Sequence, residues 1–381
     1  MRRLAVIGAS YLQVPLILRA KELGYETHVF AWKANDVGES IADVFYPISI
    51  IEKDEILNVC KGLELDGICT IASDLAAITV NYVADKLGLP GNSMEATARS
   101  TNKHLMREAF EKNGDPSPLS ILVHSVADLE GKKFDYPVIV KPLDRSGSRG
   151  IAKVMCKDDL EAAILAAREQ GFVDNALVEE FATGQEYSVE YISFHGVHHF
   201  LAMTKKYTTG APHFIETGHL EPAPIDSDIL MKVKKVVPHA LDSLGITDSA
   251  SHTEIKISPE GDLKIIEIGG RMGGDFIGSD LVRLSSGVDF VRAVIQVATG
   301  KEPDLNPVCE PGFAGVRFIF NDEDLAIYEA VMKNESDLIV SSEIREITGE
   351  VNDSSERFGY FLMRADSKEA IEKYLPSDGI E

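Results

Sequence analysis

Cysteine is scarce in this chain of 381 residues, and the four present, Cys60, Cys69, Cys156 and Cys309, show no paired spacing. Such usage builds neither a disulfide scaffold nor a zinc site and points to a reducing compartment. Long apolar runs are also missing, none approaching the roughly 18 residues of a membrane span. The opening Met1-Arg2-Arg3 imitates a secretory leader, but Gln13 and Arg19 interrupt the apolar run and no clear small-residue cleavage site follows. A cytoplasmic protein without a leader is therefore expected. Positive charge is short as well, 38 basic against 61 acidic residues for a net −23, which argues against nucleic acid or an anionic membrane as main partner. There is no internal repeat and no low-complexity tract. Two glycine signatures are absent: the Walker spacing GxxxxGK[ST] does not occur, and Gly8 opens a strand-to-helix turn without the later glycines of a dinucleotide fingerprint. The second absence discounts NAD binding, although a Rossmann oxidoreductase, which would need the N-terminal domain to bind NAD(P), stays open as an alternative class.

What is present is ordinary globular material, 44% apolar and 26% charged, long enough for two to three domains of roughly 100–200 residues. Residues 3–8 read as a buried strand, 14–23 as a helix, 25–30 and 67–71 as further strands and 75–87 as a helix stopped at Leu89-Pro90-Gly91. That alternation predicts a parallel α/β domain.

The stretch 253–274, TEIKISPEGDLKIIEIGGRMGG, carries the most chemistry. Ile255, Ile257, Leu263, Ile265 and Ile268 mark the buried face of an antiparallel hairpin turned at Ser258-Pro259-Glu260-Gly261-Asp262. The pairing sets Glu254 beside Glu267, with Arg271 just beyond. Like charges held close repel unless a cation lies between them, so a divalent ion, Mg²⁺ with Mn²⁺ as substitute, is the natural partner. A second segment, 136–154, reads as a strand bearing Lys141, a polar loop with Ser146, Gly147, Ser148 and Gly150, and a return strand. Small residues let backbone N–H groups approach an anion closely, and the lysine adds a point charge. Each feature alone is an ordinary surface turn or solvated face. Their order is informative.

The succession Lys103, Lys141, glycine flap, Glu179-Glu180-Phe181, Glu186, Glu254, Glu267 and Arg271 resembles the ATP-grasp superfamily of carboxylate–amine and carboxylate–thiol ligases. Glu216-Thr217-Gly218-His219 with Pro222-Ala223, and His252-Thr253-Glu254, resemble the ATP-dependent amino-acid (dipeptide-forming) ligases within it. The resemblance implies ATP and Mg²⁺, with Lys103 and Lys141 on the α- and β-phosphates, the flap from Gly147 to Gly150 closing over them, and Ser146 and Ser148 among the cofactor-binding residues. It implies that residues 178–181 read the adenine edge and Glu186 the ribose, and that Glu254 and Glu267 hold metal. Arg271 takes the acyl phosphate, and Arg145 and Arg149 add local positive charge. His219 is assigned to orient a substrate carboxylate or accept the amine's proton, the alternative being a loop histidine packed under the lid. His252 is a candidate supporting partner for the metal site, with a structural role equally open.

One departure stands out. The family pattern Glu-x-Asn-x-Arg reads here Glu267-Ile268-Gly269-Gly270-Arg271, so Gly269 removes a ligand. Water or substrate phosphate filling that place is the favoured reading, against a single tight metal or impaired catalysis.

The implied fold is mixed α/β and α+β. A Rossmann-like parallel domain (1–95) precedes a linker helix and lid lobe (96–186), a larger antiparallel catalytic lobe (187–302) and a small α+β region (303–381). The implied function is ligation through an acyl phosphate, with small-molecule carboxylate and amine as partners and a homodimer as candidate assembly. The alternatives are a non-catalytic ATP sensor, and an enzyme like carbamoyl-phosphate synthase or those of purine biosynthesis.

Overall fold

A computed structural model describes residues 2–144, 150–211 and 214–377. The chain begins with four parallel strands, β1 (Arg2–Ile7), β2 (Tyr25–Phe30), β3 (Val44–Tyr46) and β4 (Gly67–Cys69), in the order β3-β2-β1-β4. Leu4, Ala5, Val6 and Ile7 are all fully buried, as a parallel strand covered on both faces requires. Helices Val14–Glu22 and Phe290–Ala298 cover one face, and Lys53–Cys60 with Asp74–Leu87 the other. The helix Asp74–Leu87 starts where Ser73 Oγ accepts from Ala76 N at 3.2 Å, an N-cap that places Asp74 at the C-terminal edge of the sheet.

A second, antiparallel sheet follows. Its strands are β5 (Ser120–Val123), β6 (Val138–Pro142), β7 (Ala152–Val154) and β8 (Ala176–Glu180), in the order β5-β8-β6-β7. Leu160, Ile164 and Ala167 of the helix Leu160–Gln170 pack on Val138, Val140 and Val178. The strand–loop–strand expected around Lys141 is β6 and β7, paired Val138↔Val154 and Val140↔Ala152.

The third sheet has eight strands, β9 (Gln185–Phe194), β10 (Val197–Thr208), β11 (Glu216–Glu221), β12 (Ser249–Ile257), β13 (Leu263–Gly269), β14 (Phe313–Phe318), β15 (Ile339–Ile344) and β16 (Gly359–Ala365). Their order is β13-β12-β9-β10-β11-β14-β16-β15. Val233, Val237, Leu241 and Leu244 of the helix Ser227–Leu244 recur at helical spacing and seat on Val189, Ile255, Ile265 and Ile268. Residues 303–381 supply three strands of this central sheet, beginning with the pairing Gly218↔Arg317. The physical reason is the edge of β11, whose His219 and Leu220 are fully buried and whose backbone groups need a partner strand. Among the described residues no helix is long and apolar enough to cross a membrane.

Glu221 ends β11 in this interior. It is fully buried and accepts hydrogen bonds from Thr204 Oγ1 and Ser285 Oγ. Burial pushes its pKa up to about 8, with Glu190 adding to the rise. A carboxyl whose pKa is higher folded than unfolded gains a proton on folding. Its contribution is therefore full below the unfolded value of 4.5 and is lost as the pH rises through about 8. Glu221→Gln, neutral at every pH, is expected to unfold at a higher temperature than the parent near pH ~9 and at a similar temperature near pH ~5. An equal shift in calorimetry at both pH values would show that the carboxyl is ionised in the fold.

Candidate active site

The hairpin of β12 and β13 pairs as its sequence predicts, with Glu254 directly opposite Glu267 and His252 opposite Gly269. Gly261 turns the chain at φ +85, and Ser258 N donates to Asp262 O at 2.9 Å. After Glu254 the register shifts, so that Ile255 faces Ile265 and Ile266 is one residue extra. This bulge lets Ile265 and Ile268 both reach the core while Ile266 and Glu267 line a cleft.

The cleft lies between the second sheet, β5 to β8, and the large sheet and holds about 170 Å³. Ile139, Ile151, Phe181 and Ile266 give it an apolar part, and lysines, carboxylates and Arg271 a charged part. Lys103, Lys141, Glu179, Glu180, Phe181, Glu186, Glu254, Glu267 and Arg271 all line it, so nine of the residues singled out by sequence converge. Gly150 sits beside it at φ +73, where a Cβ would lie 2.9 Å from Pro142 and Gln170 side-chain atoms. Ser146, Gly147 and Ser148, with Arg145 and Arg149, lie outside the described residues.

Cations and carboxylates interlock here. Helix Lys103–Asn113 is capped by Asn102, whose Oδ1 accepts from His104 N and Leu105 N. Lys103 and Arg107 are four apart and so share one helix face. Lys103 Nζ meets Glu267 Oε1 at 2.8 Å. Arg107 holds Glu179 through two nitrogens, at 2.9 and 3.2 Å, and donates to Ile266 O at 2.7 Å. Lys141 Nζ takes the other side of Glu179 at 2.5 Å. Burial alone would push Glu179 up, but Arg107 and Lys141 outweigh it and hold the carboxyl at about 2. Burial pushes Lys141 down, and Arg107 and Lys103 reinforce that against the pull of Glu179. Glu180 turns to Lys264 at 3.1 Å, and Phe181 lies under Lys153, 3.9 Å from its ring centroid.

Lys206 is the hub on the other side. Its Nζ lies 2.7 Å from Glu186, 2.7 Å from Glu254 and 3.5 Å from Glu216. Burial opposes its charge, yet those three carboxylates raise its pKa well above the usual lysine value. Glu254 is held well below the carboxylate range, Lys206 and His252 outweighing burial. His252 Nδ1 bonds Glu190 and its Nε2 lies 3.5 Å from Glu254. Despite burial, Glu190 raises the imidazole to about 9, so it is a cation bridging two carboxylates at neutral pH.

His219 departs from expectation. It is a strand residue, not a loop residue; it is fully buried within β11 and does not line the cleft. Neither ring nitrogen has a hydrogen-bond partner among the described residues. Burial, then Lys206, lowers its pKa to about 3, so the near-neutral imidazole expected for proton transfer is a neutral core ring edge-on to Phe318. Sequence reading passed over Asp74, Arg107 and Lys206. Only Arg107 left a signal, its i,i+4 spacing from Lys103.

Comparison with known proteins agrees with this architecture. Residues 134–280 match the ATP-grasp domain family. Alanine–anticapsin ligase of Bacillus subtilis is 26% identical over 309 residues, covering 72% of this chain and 65% of that protein. Carnosine synthase 1 of Homo sapiens is 24% identical over 336 residues, covering 80% of this chain and 40% of that one. The chain thus spans under two thirds of either relative's length. An L-amino acid ligase structure from Bacillus licheniformis superposes with a TM-score of 0.81 at 25% identity, covering 98% of this chain and 96% of that one.

Lys206 supplies a test of the charge cluster. Lys206→Met leaves three half-buried carboxylates without their shared cation, and is expected to cost about 3–5 kcal/mol in urea unfolding near neutral pH. Adding Glu186→Gln should recover part of the loss. A cost below ~1 kcal/mol would mean that water screens the cluster as it does a surface pair.

Proposed function

Because the chain has the ATP-grasp fold and carries an ATP-grasp domain, we propose that it is an ATP-dependent ligase joining a carboxylate to an amine. The observation that carries this reading is the pairing of Glu254 opposite Glu267, each bonded to a buried lysine, in a cleft with one apolar and one charged part. The similar proteins named alanine–anticapsin ligase and L-amino acid ligase favour an amino acid among the substrates.

In this reading an oxygen of the substrate carboxylate attacks the γ-phosphorus of ATP and ADP leaves. The amine then attacks the acyl-phosphate carbonyl, phosphate leaves, and the proton the amine gives up goes to the departing phosphate. Lys103 and Lys141 receive the phosphates, and the apolar walls at Ile139, Ile151, Phe181 and Ile266 receive the base. Glu186 accepts from the ribose hydroxyls, and Glu180 with the backbone of residues 178–181 reads the adenine edge. Arg271 takes the acyl phosphate, for which its planar fork is suited.

Two carboxylates on facing strands are hard oxygen donors and fit Mg²⁺, which takes one or two carboxylates and completes its shell with phosphate and water. Among the described residues no three acidic, histidine or cysteine side chains group as a metal-binding set, so Glu254 and Glu267 would be the protein's share. When bound, the ion would draw off charge from the transferring phosphoryl group. Free thiols at Cys60, Cys69, Cys156 and Cys309 suit the reducing cytoplasm in which we place this activity.

Phosphate release from ATP is expected only when carboxylate and amine are both supplied, as found by screening amino-acid pairs. Glu267→Gln, which replaces a charged ligand by a neutral amide, is expected to lower that release by about 10²–10³-fold. Release by the parent protein that ignored both substrates, or a Glu267→Gln variant as active as the parent at limiting Mg²⁺, would count against the reading.

A further inference from the structure

Gly269 stands where the family pattern has asparagine, and the structure gives the glycine a cause. A Cβ at this position would lie 2.9 Å from Asp74 Oδ1 and 3.2 Å from the guanidinium carbon of Arg271. Contacts under about 3.0 Å are closer than real Cβ atoms make, so any larger residue has to displace the Asp74–Arg271 pair. The space of the missing side chain is filled by a carboxylate that arrives from the N-terminal domain, 197 residues away in sequence.

That carboxylate is held firmly. Arg271 Nε donates to Asp74 Oδ1 at 2.8 Å and one terminal nitrogen to Oδ2 at 2.9 Å, a two-point bond between largely buried partners. Asp74 is the first residue of the helix Asp74–Leu87, where the helix dipole favours an anion. Burial opposes its charge and Arg271 outweighs it, with Lys103 and His252 helping, so the carboxyl stays ionised. The backbone beneath is fixed as well. Ala72, in a left-handed conformation at φ +59, donates its N–H to Met272 O at 3.1 Å, fastening the segment before Asp74 to the residue after Arg271.

We propose that Asp74 is a positioning residue for Arg271: the N-terminal domain aims the guanidinium across the cleft, and position 269 is glycine so that this pair fits. The inference rests on the ligase reading of Arg271. A long arginine side chain loses rotamer freedom when fixed in one place. Asp74 meets that cost before substrate arrives, leaving the acyl phosphate to approach a guanidinium already in place.

The test is a double-mutant cycle on the full chain, measuring phosphate release with the best amino-acid pair and ADP affinity by calorimetry. Asp74→Asn, which keeps shape and loses charge, is expected to lower kcat by about 10–100-fold, the usual effect of removing the partner that orients a functional group. KM for ATP and ADP affinity should not move, because Arg271 is assigned to the acyl phosphate and not the nucleotide. In an Arg271→Lys background, where the two-point bond is already gone, Asp74→Asn should cost at most about twofold. Gly269→Ala carries the same test if Asp74→Asn fails to fold: the intruding methyl should reproduce the kcat loss and again leave ADP affinity unchanged. Losses that multiply in the Asp74→Asn/Arg271→Lys double variant, or a folded Asp74→Asn protein with the parent's kcat, would overturn the assignment. A parent protein that joins no pair overturns the ligase reading and this inference with it, whereas an active parent with multiplicative losses overturns only the role of Asp74.

Discussion

Lys206 is 3% exposed and lies among Glu186, Glu216 and Glu254, and much of the cleft follows from the need to keep that buried cation neutralised. A lone buried charge costs several kcal/mol, so every ion brought inward needs a partner of opposite sign. Signs accordingly alternate along the chain of contacts from His252 through Glu254, Lys206, Glu216 and Arg357 to Asp275. The same rule joins Lys103 to Glu267 and places Glu179 between Arg107 and Lys141. In the proposed function the ligand enters by exchange. Each carboxylate assigned to the metal is bonded to a lysine, at Glu254–Lys206 and Glu267–Lys103, so a bound cation could take the carboxylates while phosphate took the lysines. Charge would stay balanced before and after. That is how a chain with 23 net negative charges can receive a polyanion without a broad basic surface.

Pairing of this kind also ties the molecule together. Asp74 comes from a helix packed on the first sheet, Lys141 and Glu179 from the second sheet, and Glu254 and Glu267 from one edge of the large sheet. The last cation of the charge chain comes from the connection between the last two strands. Arg357, between β15 and β16, reaches Glu216 at 3.2 Å and Asp275 at 2.8 Å while lying 3.8 Å from the Phe318 ring centroid. Residues 313–365 are therefore both the continuation of the central sheet and the closing member of its charge network. Loss of any one part would leave buried ions elsewhere unpaired.

Local pattern made part of this readable in sequence. The hairpin of Glu254 and Glu267 announced itself through alternating isoleucines and a Pro-Glu-Gly turn, and the strands around Lys141 through an apolar run broken by small residues. The parallel domain showed as strand and helix in alternation. What stayed hidden was set by partners distant in sequence. Arg271 finds Asp74 across 197 positions, Arg107 finds Glu179 across 72, and Lys206 finds Glu254 across 48. Strand alternation turns Lys206 inward, but nothing local marks it as the hub of three carboxylates. His219 misled for the same reason: a histidine beside glycine looks like a loop until β14 pairs over it.

The N-terminal domain shows how a strand-to-helix turn that begins like a dinucleotide loop is built differently. Gly8 follows β1 at φ +107, as the first glycine of a dinucleotide loop would, at the carboxyl edge of a parallel sheet where such ligands bind. Beside a pocket of about 310 Å³ lined by Gly8, Ser10, Gln13 and Trp32, the space immediately over that glycine is taken by Gln13. A Cβ there would lie 2.9 Å from the Gln13 amide, whose Oε1 accepts from Ser10 N at 3.2 Å and whose Nε2 donates to Ile71 O at 2.8 Å. Gln13 thus engages one of the backbone N–H groups with which such a loop would meet an anion, and the next residues lack the glycines that let a pyrophosphate approach. The turn is a structural joint. It sets β1 and the helix Val14–Glu22 against β4, and through Ala72 and Asp74 that edge of the sheet meets the cleft in which the nucleotide is proposed to bind.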